Sequence, residues 1–106
     1  MLCKTEVREI VQKYSEEVRK LLDPSGIILF GSYVNGVPHE WSDIDVAVLV
    51  NNIKDEDWYD TCTLLHRLIR NNEFIDIEPH LLNPNYDPSG FVEHVIKTGE
   101  VIYQSA

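Results

Sequence analysis

The chain has 106 residues, 43% of them hydrophobic, which is enough for one modest core and predicts a single domain over residues 1–106. Eighteen acidic against nine basic residues give a net charge of −9, and the basic residues are scattered. That balance argues against a nucleic-acid partner and suits either a basic protein partner or simple solubility. No run of about 18 apolar residues exists to span a membrane. The charged start, Met1–Glu9, lacks a signal-peptide stretch, so a cytoplasmic location is expected. Cys3 and Cys62 suggest neither a disulfide framework nor a metal site.

Val7, Ile10, Val11, Tyr14, Val18, Leu21 and Leu22 recur at helical spacing, predicting an amphipathic helix from about Thr5 to Leu22. Asp23-Pro24-Ser25-Gly26 stops it. Ile27 to Phe30 is a short apolar run of the kind that forms a strand buried on both faces. Gly31 then permits a sharp turn, and Ser32 is placed to cap a helix of one or two turns closed by Gly36. Val37 to Trp41 reads as a loop, with Trp41 as packing or as a cover for a base. Ile44 to Val50 is a second strand, entered through Asp43 and Asp45.

Asp55, Glu56 and Asp57 open a further helix, where acids serve the helix dipole more often than they bind metal. Its stripe is Trp58, Cys62, Leu65 and Ile69, and Asn71-Asn72 ends it. Phe74 to Leu82 alternates apolar and polar residues, a strand with Asp76, Glu78 and His80 on one face. Pro79 lacks an N–H, which places this strand at an edge or a bulge. Asp87 is the expected cap of a last helix with Pro88 at its first position, Phe91, Val92, Val95 and Ile96 facing inward, and Gly99 closing it. Val101–Tyr103 reads as a short edge strand or a packed tail. His39, His66 and His94 read as surface or core residues.

The chemistry concentrates in the stretch from Leu29 to Val46. Gly31 allows the backbone to approach a ligand closely, and the free N–H groups that follow suit a phosphate. Asp43 and Asp45, two apart on a strand, share a face. Two carboxylates side by side repel unless a cation joins them, so the pair asks for a hard ion such as magnesium.

Gly31-Ser32, ten residues, then Asp43-x-Asp45 between two strand-like runs resembles the signature of nucleotidyltransferases related to DNA polymerase beta, and in particular the minimal nucleotidyltransferases of prokaryotes. The likeness extends from about Ile27 to about Tyr103. It implies an α+β fold: a small mixed sheet of three to four strands flanked by three to four helices. It also implies transfer of AMP from ATP to an acceptor hydroxyl, with two Mg2+ ions held by Asp43, Asp45 and a third carboxylate, and with Gly31 and Ser32 on the terminal phosphates. The later strand offers Asp76 and Glu78 for that third acid; Ile77-Glu78-Pro79 is similar to small relatives and favours Glu78. His80 reads as a phosphate or substrate contact, or as packing.

After that strand only about two dozen residues remain, so the acceptor must come from a partner or a second copy. Minimal nucleotidyltransferases are commonly paired with a helical HEPN-type protein, often an RNase toxin, and the resemblance implies an antitoxin that adds AMP to a tyrosine of that partner. Two other classes stay open: a non-catalytic nucleotide- or toxin-binding module, and the catalytic half of a two-chain enzyme acting on a small molecule such as an aminoglycoside.

Overall fold

A computed structural model describes residues 3–36, 43–70 and 74–105. Among these, the elements run α1 (Lys4–Leu21), β1 (Gly26–Phe30), α2 (Ser32–Asn35), β2 (Ile44–Leu49), α3 (Asp55–Leu68), β3 (Ile77–Leu82), α4 (Phe91–Thr98) and β4 (Glu100–Gln104). The strands form one mixed sheet in the order β3-β2-β1-β4. β1 is antiparallel to both β2 and β4, while β2 and β3 run parallel. This is the α+β architecture that the family resemblance implies, with β3 and β4 at the edges.

Each layer follows from side-chain spacing. Val7, Val11, Tyr14 and Val18 form the buried seam of α1. They pack with Leu65 of α3 on one face of the sheet, against Ile27, Leu29, Ile44, Val46, Val48, Ile77 and Leu81. The intervening strand residues point the other way, as the twofold strand period requires. Ile28, Ala47 and Leu49 pack there against Val92 and Val95 of α4. A helix of eight residues is about 12 Å long, so α4 covers only part of its face.

The helix ends show how local chemistry sets the boundaries. Leu22 leaves the helix in extended backbone, one residue before Asp23-Pro24; proline disfavours helical backbone in the residue that precedes it. At the end of α3 the N–H of Ile69 bonds His66, which frees the Leu65 carbonyl from the usual helical pairing. The Tyr14 hydroxyl donates to that carbonyl at 3.0 Å, tying α1 to α3.

Three local expectations are corrected. β3 begins at Ile77 and not at Phe74, because Phe74 is buried as a plug whose ring meets Tyr14 edge-on at 5.5 Å. α4 begins at Phe91, after Gly90 in left-handed backbone, so Pro88 lies in the preceding turn. Asp87 still caps it from outside, accepting hydrogen bonds from the N–H groups of Val92 and Glu93 at 3.0 and 3.1 Å. Ser32 is the first residue of α2 and Gly31 its cap, with no side-chain capping bond.

Candidate functional site

Two strands deliver the site to Asp45. From one side β1 sets Phe30 opposite Asp45 in antiparallel register. The next residue, Gly31, has φ 84° and ψ −152°, a region that essentially only glycine occupies. A Cβ added there would run into Oδ2 of Asp45. The missing side chain therefore lets the turn backbone lie directly against the carboxylate. α2 follows at once, with Ser32 half-buried at its start.

From the other side β3 sets Glu78 opposite Asp45 in parallel register. Two residues on, His80 falls on the same face, and its Nε2 lies 3.1 Å from Oδ1 of Asp45. The side chains of His80 and Asp45 are 31% and 27% exposed, so both are reachable from solvent. Ligand-type atoms of Asp45, Glu78 and His80 lie within 4.8 Å of one another. Among the described residues this is the one cluster of at least three such groups.

Aromatic rings fix the imidazole. Phe30 meets His80 edge-on with centroids 5.1 Å apart, and Phe91 of α4 meets Phe30 in the same way at 5.8 Å. The hydrogen bond to Asp45 raises the His80 pKa above the usual histidine value; partial burial opposes this, and the charges of Asp45 and Glu78 add to it.

The remaining candidates fall elsewhere. Asp43 is exposed just before β2, and Asp76 is exposed in the turn before β3. The Asp76 carbonyl accepts the Ile44 N–H at 2.8 Å, which holds the two strand entrances side by side. Neither carboxylate joins the 4.8 Å cluster; each stands one step further out than the Asp45–Glu78 pair. Asp55, Glu56 and Asp57 are exposed in the first turn of α3, as dipole residues are. His66 and His94 are exposed and outside the site. His39 and Trp41 lie outside the described residues.

The donor set fits a divalent cation. Two carboxylates from paired strands converge at a solvent-accessible point, and hard ions take oxygen ligands of this kind. Sequence reasoning set His80 aside as contact or packing. The signal that it belongs to the site was its i, i+2 relation to Glu78 on an alternating strand. Phe30 gave no such signal, since it ended a run that read as wholly core.

Comparison with known proteins gives the family and the fold. Residues 7–106 match the family model described as polymerase beta, nucleotidyltransferase. Two proteins of Methanocaldococcus jannaschii are similar in sequence. One, provisionally named protein adenylyltransferase MJ0126, is 26% identical over 102 residues, covering 93% of this chain and 95% of its own length. The other, provisionally named protein adenylyltransferase MJ1215, is 30% identical over 79 residues, 74% of each chain. Among solved structures, a protein of Sulfolobus solfataricus provisionally described as a nucleotidyltransferase superposes with a TM-score of 0.71 at 20% identity, over 95% of this chain and 83% of that one. A chain from the complex of a tri-AMPylated Shewanella oneidensis HEPN toxin with an MNT antitoxin superposes with a TM-score of 0.60 at 19% identity, over 92% and 73%. At these identities the superpositions carry the fold.

Proposed function

The chain belongs to the polymerase beta nucleotidyltransferase family, and on that premise we propose that it transfers AMP from ATP to a hydroxyl of a protein partner, a tyrosine of a HEPN-type helical toxin, and so acts as that toxin's antitoxin. The observation that carries the chemistry is the convergence of Asp45 and Glu78 on paired strands beside the Gly31 turn. The protein acceptor is supported by the similar proteins named as protein adenylyltransferases and by the fold shared with a structure of an AMP-modified toxin and its antitoxin.

In this reading Asp45 and Glu78 hold the divalent cation, two ions in all, with Asp43 contributing at the entrance to β2. A cation bound there neutralises phosphate charge and makes the acceptor hydroxyl easier to ionise. Gly31 and Ser32 hold the terminal phosphates against the turn, where the absence of a Cβ leaves room for close approach. Glu78, exposed at the edge strand, accepts the acceptor's proton. A bond forms between the acceptor oxygen and the α-phosphorus, the bond from the α-phosphorus to the bridging oxygen breaks, and pyrophosphate leaves. The negative balance of the chain suits a basic partner.

The test is incubation with ATP labelled at the α-phosphate, magnesium and a purified HEPN-type protein, followed by mass mapping of the product. AMP on a partner tyrosine, absent with Asp45→Asn, is the expected result. If the partner is bound and neutralised without label, the chain is a binding module. If label reaches an aminoglycoside but no protein, the acceptor class is wrong.

A further inference from the structure

We propose that His80 is a metal ligand, completing with Asp45 and Glu78 a site of two oxygens and one nitrogen that prefers a divalent transition ion, Mn2+ among them, to Mg2+. The proposal rests on the functional reading above for the presence of a cation, but not for which ion it is. Three observations carry it. The Nε2 of His80 and Oδ1 of Asp45 are 3.1 Å apart, which is about the separation of two neighbouring ligands around an octahedral ion with bonds near 2.1 Å. A hydrogen bond and a shared metal edge thus have nearly the same length here, and an ion can enter with little rearrangement.

The imidazole is also held in place from behind. Phe30 and, through it, Phe91 pack against the ring, so the nitrogen that faces Asp45 is pre-aimed. Glu78 stands across from Asp45 in strand register and completes the 4.8 Å group. Asp43, the carboxylate the sequence motif nominates, is not in that group. The inner ring of donors therefore contains nitrogen where a purely carboxylate site would have oxygen.

The choice of ion follows from ligand chemistry. Magnesium keeps to oxygen donors and gains little from imidazole, whereas first-row transition ions gain from a nitrogen donor, Mn2+ the least of them and hence the most stringent probe. On binding, Nε2 turns its lone pair to the ion and the ring proton resides on Nδ1. If the ring enters as imidazolium, one proton is released to solvent.

The experiment uses the full chain without nucleotide. Free Mn2+ is followed by electron paramagnetic resonance during titration of the wild type and of His80→Gln, and Mg2+ affinity is taken from its competition with Mn2+. The expected result is a loss of Mn2+ affinity of about tenfold or more in His80→Gln, with Mg2+ affinity changed far less. Spin-echo modulation from a directly bound nitrogen is expected in wild-type protein and lost in the variant. Equal weakening for both ions, or unchanged Mn2+ affinity in a folded variant, overturns the proposal and leaves His80 as a group that only positions Asp45. Should His80→Gln fail to fold, the wild-type modulation decides alone: its absence overturns the proposal. Failure of the transferase reading would show instead as absent AMP transfer with nitrogen-bound Mn2+ intact, so the two failures are distinguishable.

Discussion

At Asp45 the two carboxylate oxygens face different neighbours, Oδ1 the His80 imidazole and Oδ2 the Gly31 turn. Asp45→Asn keeps the shape and removes the charge. Loss of several kcal/mol of charge stabilisation predicts a fall in AMP transfer of roughly 10²-fold or more. Stability should fall by no more than about 1–2 kcal/mol, because the weakened His80 hydrogen bond is partly offset by relief of repulsion between Asp45 and Glu78. Activity and melting curves on one preparation check both; a collapsed melting temperature would mark the residue as structural. Gly31→Ala should fail differently. Its backbone conformation disfavours any side chain by about 1–3 kcal/mol, and the new methyl would push on Oδ2. The expected outcome is a lower denaturant midpoint together with lost ATP binding, whereas Asp45→Asn should lower activity with far less effect on the midpoint.

At the scale of elements, α4 depends on few residues for its start. It has eight residues, starts after a left-handed glycine and relies on Asp87 for its first N–H groups. It also carries Phe91, which backs Phe30 and so His80. Asp87→Ala removes two backbone partners and should cost about 0.5–2 kcal/mol, measured by urea unfolding. Hydrogen exchange should rise first at Val92 and Glu93, before the sheet opens; uniform protection in the variant would mean that packing alone starts the helix. Here the sequence was legible in kind and wrong in position. Asp87 was recognisable as a cap, but Gly90 lets the chain turn once more before the helix begins, and local residue preferences do not reveal that delay.

For the whole molecule, the contact between Tyr14 and Leu65 joins the first helix to the crossover that carries β3. Burial pushes the Tyr14 hydroxyl well above the ordinary tyrosine value of 10.0. The folded state therefore holds this proton more tightly than the unfolded chain. The resulting stability is fully present below about pH 10 and is lost as pH climbs toward the folded value, at up to about 1.4 kcal/mol per pH unit. Tyr14→Phe should lower stability by about 1–2 kcal/mol at neutral pH, since it leaves a helix-end carbonyl unpaired. It should also flatten the alkaline decline; chemical unfolding at pH 8 and pH 11 measures both, and an equally steep decline in the variant would assign it to another group.

Local sequence determined most of the elements and nominated half of the candidate site. Helical and strand periods are set by near neighbours, so α1, β1, α2, β2 and α3 could be read within a few residues. The turn at Gly31-Ser32 and the acids at Asp43 and Asp45 were visible because a sharp turn and a charged strand entrance each leave a short-range mark. Strand alternation also put Glu78 and His80 on one face. Only the tertiary structure decided which acid stands across from Asp45, because that depends on the parallel register between β2 and β3. α3 and the core beneath it set that register, and no local pattern encodes it. The same register, with Phe30 arriving from β1, placed His80 against Asp45; a single strand cannot reveal a neighbour contributed by two others.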